Sequence, residues 1–242
     1  MAADHGYTME GMTKDNPDSI TARMGNTHDY LPATGNDLLL PAYDLITRLF
    51  GMSAGYDTLA GQAALFDAVA VLEIGCGTGN LTTRIVRLQP TARLTATDPD
   101  PRALARARRK SLRYNDVRFE RVYAQQLPYA DESFDRVLSS MMLHHLDSDV
   151  KTTALREAYR VLRPGGSMHI VDVHDDDLPD LLRSVGFEVS ELGTRQLRFA
   201  GRAGFYRAAR FTAETTARSE AVVMDVAIPT PHTVLPSMEA ST

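Results

Sequence analysis

The segment Val71-Leu72-Glu73-Ile74-Gly75-Cys76-Gly77-Thr78-Gly79-Asn80 constrains this chain more than any other. Its first four residues include three apolar and two β-branched side chains, and they run straight into alternating glycines. From Leu81 the pattern turns helical. A strand, a tight turn and a helix N-terminus thus follow one another within about a dozen residues. Glycines are needed where the backbone takes positive φ or lies against a ligand with no side chain between. The helix that follows offers unpaired N–H groups to a polar or anionic ligand.

The flanking sequence reads as a frame for that turn. Residues 1–36 are polar, rich in Gly, Asn, Asp and Thr, and lack a sustained period, which predicts a flexible segment. Residues 26–36 are read either as loose chain or as a flap that orders over a bound substrate. Short helices are expected over 41–51, closed by Gly51, and over 58–66, weakened by Gly61. After the glycine segment come a helix (81–88), a strand (93–98), and a helix from Pro101 to about residue 114, N-capped by Asp100. Strands over 117–123 and 134–140 follow, then a helix over 151–163 that Pro164-Gly165-Gly166 ends. A strand (167–173), a helix (178–185) closed by Gly186, and two closing strands (187–192 and 197–210) complete the pattern. Residues 211–242 turn to Thr, Ala, Ser and Pro and are expected to be a disordered tail. Arg102, Arg106, Arg109 and Arg113 form one stripe of the 101–114 helix, read as its solvated face.

Seven strands alternating with helices predict an α/β fold: a doubly wound, mainly parallel seven-stranded sheet with an antiparallel edge strand. The domain is expected over 37–210, with 37–66 a helical cap. In such sheets ligands sit at the carboxyl ends of the strands, where the strand order reverses.

Composition excludes several classes. The net charge of −5 argues against a dedicated nucleic-acid binder, whose phosphate contacts leave a basic surplus. The single cysteine, Cys76, cannot form an internal disulfide, which fits a reducing cytoplasm. No apolar run approaches ~18 residues, so no membrane span is expected. The first residues lack the basic start and apolar core of a secretory signal, and the expected location is cytoplasmic.

The glycine turn reads Gly-x-Gly-x-Gly, unlike the dinucleotide pattern Gly-x-Gly-x-x-Gly, and Glu73 stands two positions before it. Asp98 follows Gly79 by 19 residues and closes the next strand, where a carboxylate can accept from both hydroxyls of a ribose. Asp98 as a mere helix cap is the competing reading, but Asp100 fits that position better.

With these residues in place, the phrases "LEIGCGTGN", "LPYADESFDRVLSSMMLHHL" and "EAYRVLRPGG" resemble, in order and spacing, the class I S-adenosylmethionine-dependent methyltransferases. The likeness covers roughly residues 40–210 and is strongest to the branch of quinone-biosynthesis C-methyltransferases and small-molecule methyltransferases. It implies S-adenosyl-L-methionine as cofactor and a small-molecule substrate. It further implies that Glu73 orients the ammonium side of the methionine and that Gly75, Gly77 and Gly79 pass the backbone against methionine and ribose. Asp98 takes the ribose hydroxyls, and Pro99 packs on the adenine. Ala124 and Gln125 face the adenine amino group, and Ser139 and Ser140 contact the methionine. Relatives often carry an acid in the segment after strand three; residues 122–129 here have none. A glutamine carbonyl can still accept from the adenine amino group.

The implied chemistry is in-line displacement at the sulfonium methyl, with a base needed only if the nucleophile must lose a proton. His144, His145 and His174 are the candidates for proton transfer. Asp172, His174, Asp175, Asp176 and Asp177 form an acidic cluster; no metal is expected there, because the neighbouring phrases do not match the metal-dependent branch and a solvated loop explains the charges. Only about five residues separate strand five from the next helix, so any closure of the pocket falls to residues 26–66, with Tyr30, Tyr43 and Tyr56 as candidate wall residues.

Three other readings stay open from sequence: an S-adenosylmethionine-binding partner or regulator without catalysis, and a methyltransferase of protein or of RNA. A nicotinamide oxidoreductase is disfavoured by the glycine spacing, and an arsenite methyltransferase needs more than one cysteine. No nucleic-acid partner is expected, and the state is monomer or homodimer. Deleting residues 1–36 is expected to lower turnover more than cofactor affinity; equal loss in both, or in neither, refutes the flap.

Overall fold

The computed structural model describes residues 52–68, 70–114, 117–197 and 201–212. The expected flap, the helix over 41–51, Tyr30, Tyr43 and the tail beyond Thr212 lie outside the described residues.

Helix α1 (Met52–Gln62) and a 3₁₀ turn (Leu65–Asp67) lead into β1 (Ala70–Ile74). Then follow α2 (Thr82–Leu88), β2 (Arg93–Thr97), α3 (Pro101–Ser111), β3 (Val117–Glu120), β4 (Phe134–Ser140) and a 3₁₀ turn (Leu143–His145). The remaining elements are α4 (Ser148–Val161), β5 (Leu162–Val173), α5 (Leu178–Val185), β6 (Glu188–Leu197) and β7 (Gly201–Ala209). One seven-stranded sheet has the order β3-β2-β1-β4-β5-β7-β6. The pairs among β1 to β5 are parallel, while β7 runs antiparallel to both β5 and β6. The antiparallel reversal therefore sits one place in from the edge, and β6 forms the edge itself.

All five residues of β1 are buried, as a central strand covered on both faces requires. Alternation along the strands sorts the core into two layers. Leu72, Val137, Met168 and Ile170 face Leu155 and Leu182 of α4 and α5. Val71, Leu138 and Val171 face Leu59 and Ile85 of α1 and α2. The strand order reverses between β1 and β4, which puts the ligand crevice of such a sheet at their carboxyl ends. No helix among the described residues is long and apolar enough to cross a membrane.

Several boundaries differ from those read in the sequence. Helix α1 starts six residues before the expected Thr58 and is closed at Ala64, whose φ of 46° is left-handed. Strand β3 stops at Glu120, whose carbonyl takes the last rung from Asp98 N–H. Pro164-Gly165-Gly166 does not merely end a helix; it lies inside β5, which begins at the residue after α4. A Cβ at Gly166 would come within 2.9 Å of the Arg163 carbonyl and 3.0 Å of the Asp135 carbonyl, so close backbone approach sets that glycine. The β4–β5 register shifts at the same place, between Phe134 and Arg136.

The loop from β3 to β4 is pinned by two side chains of α4, Arg160 and Glu157. The Arg160 guanidinium donates to the Tyr129 and Leu127 carbonyls at 2.7 and 2.9 Å, and pairs with Asp131 and Glu157. Glu157 in turn accepts from Leu127 N–H at 2.8 Å. Arg160→Met leaves two carbonyls without their donor, and the expected loss is about 1–3 kcal/mol. The urea midpoint of unfolding measures it, and an unchanged midpoint shows that the loop holds without Arg160.

Candidate functional site

The glycine turn after β1 winds through three positive-φ residues: Gly75 at 71°, Gly77 at 52° and Gly79 at 80°. Its shape is set from outside. The Asp98 carboxylate, just past β2, accepts from Gly77 N–H through Oδ2 at 2.8 Å and from Asp100 N–H through Oδ1 at 2.9 Å. Asp100 then caps α3 by accepting from Arg102 N–H at 2.8 Å, as the sequence predicts. A Cβ at Gly79 would lie 2.9 Å from the Ala107 side chain, so α3 presses against the turn. A Cβ at Gly75 would lie 2.5 Å from Cγ of Met142, so the chain after β4 presses on its other end.

Glu73 is fully buried on β1. Its Oε2 accepts from the Thr82 hydroxyl at 2.6 Å, and its Oε1 is buried without a partner among the described residues. Burial pushes the Glu73 carboxyl up to about 8, with the Asp98 charge adding to the effect. Burial likewise raises Asp98 to about 6, against the lowering effect of its two N–H donors. The Cys76 thiol is buried and pushed upward, first by desolvation and then by the Glu73 and Asp98 charges, so it is not a reactive thiolate.

Other expected site residues fall around this centre. Pro99 follows Asp98 and is half-buried; its carbonyl accepts from Arg121 Nε at 3.0 Å, which ties the segment after β3 to it. Ala124 and Gln125 form a half-buried turn in that segment, with Ala124 packed against the core. The nearest acid to that turn on β3, Glu120, is occupied by the Tyr129 hydroxyl at 2.6 Å. Ser139 pairs with Ile74 in the β1–β4 register, and its buried hydroxyl has no partner among the described residues. Ser140 closes the strand, half-buried. Tyr56, a candidate wall residue, packs instead in the core of α1 and α2 with the Arg84 guanidinium over its ring.

Of the three candidate histidines, two stand together and one apart. His144 Nδ1 lies 2.5 Å from Asp172 Oδ1, and the His144 and His145 ring centroids are 3.9 Å apart with the rings tilted by 43°. Burial, reinforced by the His144 charge, lowers His145 to about 4. His174 lies beyond β5, with Nδ1 3.1 Å from the Tyr206 hydroxyl and Nε2 3.2 Å from Asp176.

The acidic cluster separates. Asp172 is not part of a solvated loop: it is 1% exposed, and its Oδ2 accepts from Met142 N–H at 3.0 Å and Leu143 N–H at 2.7 Å. Asp175 pairs with Lys151, and Asp176 with His174. Among the described residues no three His, Cys, Asp or Glu side chains converge as metal ligands would. Sequence reading missed Thr82 as the partner of Glu73 and Asp172 as the clasp of the turn after β4. The only signal for Asp172 was an acid set in the apolar run Ile170-Val171-Asp172-Val173 of a strand expected to be buried.

Comparison with known proteins agrees with this geometry. Residues 71–166 match the methyltransferase domain family. The chain is 36% identical over 138 residues to a demethylmenaquinone methyltransferase of Thermus thermophilus, covering 55% of this chain and 62% of the relative. It is 33% identical over 147 residues to the 27-O-demethylrifamycin SV methyltransferase of Amycolatopsis mediterranei, covering 57% of this chain and 50% of the relative. The matches thus span between half and two thirds of these relatives' lengths. The fold is similar to that of the Burkholderia thailandensis 1,6-didemethyltoxoflavin-N1-methyltransferase, solved with 1,6-didemethyltoxoflavin and S-adenosylhomocysteine bound. The TM-score is 0.56 at 19% identity, over 72% of this chain and 89% of that one. The glycine turn, the sheet order and these matches make the chain similar to the class I S-adenosylmethionine-dependent methyltransferases, with residues 71–166 matching a methyltransferase domain.

Proposed function

We infer that the protein transfers the methyl group of S-adenosylmethionine to a small-molecule acceptor. The observation that carries this reading is the bond from Gly77 N–H to Asp98 Oδ2, which joins the three positive-φ glycines to a carboxylate at the end of β2. The residues fit the cofactor on two further counts. Glu73 Oε1 is a buried acceptor without a partner among the described residues, which suits the cationic side of the methionine moiety. Asp98 has spent one lone pair on each oxygen, which leaves acceptor capacity for ribose hydroxyls. Gly75, Gly77 and Gly79 would line the cofactor; Pro99, Ala124 and Gln125 would flank its base, and Ser139 and Ser140 its methionine end. The bound cofactor supplies an activated methyl group, so the protein's task is to align the acceptor and keep water out. The small-molecule class follows the demethylmenaquinone, rifamycin and toxoflavin named for the relatives.

Two measurements test this. Asp98→Ala is expected to weaken S-adenosylhomocysteine binding by about tenfold or more in calorimetry, since it removes hydrogen bonds to a charged acceptor. A wild-type chain that does not bind the nucleoside overturns the proposal.

Glu73 gives the second. With its carboxyl near 8 in the free protein, Glu73 is mostly protonated at pH 7. A cation placed beside it favours the carboxylate and lowers that value, so binding S-adenosylmethionine at pH 7 is expected to release protons. Binding enthalpies in buffers of different ionisation enthalpy report the release. Glu73→Gln is expected to abolish it, and release that persists in that variant assigns the proton elsewhere.

A further inference from the structure

Helix α3 carries the run Arg108-Arg109-Lys110, which in sequence looks like one solvated basic patch. The structure sends its three side chains in different directions. The Arg108 guanidinium donates to the Phe119 carbonyl of β3 at 2.8 Å, and Arg109 is exposed on the stripe it shares with Arg102, Arg106 and Arg113. Lys110 follows Ala107 by one turn of helix, on the flank of α3 that meets the glycine turn. Its Nζ donates to Asn80 Oδ1 at 2.9 Å and to Thr78 Oγ1 at 3.3 Å. These two residues bracket Gly79, the glycine that packs on Ala107.

Asn80 is gripped through its backbone as well. Its carbonyl accepts from Arg84 Nη1 at 2.7 Å and from the Thr83 hydroxyl at 3.1 Å. Arg84 in turn pairs with Asp57 of α1. The far end of the turn is therefore fastened to α2 through the Asn80 carbonyl and to α3 through the Asn80 side chain. The near end is held by Asp98 on Gly77 N–H and by the Thr97 carbonyl, which accepts from Cys76 N–H at 2.8 Å. Between them, Gly79 N–H donates back to the Cys76 carbonyl at 2.9 Å. Lys110 thus ties down the stretch that lies between the Asp98 anchor and the start of α2.

We propose that Lys110 is a positioning residue for the cofactor: by clamping Thr78 and Asn80 onto α3, it keeps the glycine turn in the shape that receives the nucleoside. The proposal rests on the methyltransferase reading above. Lys110 makes and breaks no covalent bond; it acts on populations. Glycine takes left-handed and right-handed φ about equally well, so a turn with three left-handed glycines has other shapes open to it. Time spent in those shapes weakens binding, because the apparent dissociation constant is the intrinsic one divided by the competent fraction. An ammonium that holds both neighbours of Gly79 removes this loss, and a neutral side chain at 110 restores it. The bound nucleoside would itself restrain the turn. The effect of Lys110 therefore falls on the free protein and leaves the complex little changed.

The test uses the full chain and S-adenosylhomocysteine, with affinity read by calorimetry and backbone amide exchange by NMR. Lys110→Met is expected to weaken binding about tenfold, which corresponds to a turn that is competent roughly one tenth of the time. Lys110→Arg, whose guanidinium offers several donors to the same two oxygens, is expected to recover most of that affinity. Arg109→Met, on the solvated stripe of the same helix, is expected to bind as wild type does. Exchange at the Gly77 and Gly79 amides is expected to quicken in free Lys110→Met and to return to the wild-type rate in the complex, with the urea midpoint of unfolding unchanged. In a chain that already carries Thr78→Val and Asn80→Ala, Lys110→Met is expected to add no further loss, since the partners it acts through are gone. Unchanged affinity in Lys110→Met, an equal loss in Arg109→Met, a full additional loss without Thr78 and Asn80, or weaker binding with Gly77 and Gly79 exchange unmoved, each overturns the proposal. Should Lys110→Met fail to fold, Lys110→Gln carries the same expectations. A wild-type chain that does not bind S-adenosylhomocysteine strikes the methyltransferase reading itself, and this proposal with it.

Discussion

The hydrogen bond from Gly77 N–H to Asp98 is the interaction on which the rest of this structure depends. A buried carboxylate is costly unless donors surround it, and a run of left-handed residues is costly unless something holds it. Here each cost is offset by the other: the turn supplies a donor, and the carboxylate fixes the turn. The chain of bonds then continues. Asp98 holds Asp100 N–H, Asp100 caps α3, and α3 brings Ala107 to within contact of Gly79. Glycine at 79 and alanine at 107 are thus two sides of one packing constraint. Neither is explained by helix propensity or by turn geometry taken alone.

The parts of this site that lie close in sequence to the glycine turn were legible before the structure. Gly75 to Gly79, Glu73, Asp98 and the Asp100 cap belong to one β-α-β-α stretch, where spacing alone fixes which groups meet. Asp172 was not legible in the same way. Its donors, Met142 and Leu143, are about thirty residues earlier, and they meet it only because β4 and β5 pair in parallel register, with Ser140 opposite Val171. A sequence reading sees an acid beside three more acids and assigns it to solvent. The sheet instead buries it. The same limit explains Pro164-Gly165-Gly166, which look like helix punctuation. They are shaped instead by the Asp135 carbonyl across the sheet and by Arg210, whose backbone N–H and carbonyl bond Gly166 and Gly165 at 2.9 Å.

Two acids at strand ends therefore do parallel work. Asp98 organises the turn after β1, and Asp172 organises the turn after β4, each by accepting backbone N–H groups from a left-handed segment. These turns flank the place where the strand order reverses, and they are not independent. Met142 donates its N–H to Asp172 and lays its side chain in the space where Gly75 lacks a Cβ. Packed interiors have little free volume, so a shift of the glycine turn cannot be absorbed locally. It passes through Met142 to the residues that Asp172 holds, His144 among them. The glycine turn and His144 are thus linked through Met142 and Asp172. The physical reason is one missing methyl group at Gly75, filled by a side chain from the neighbouring strand's end.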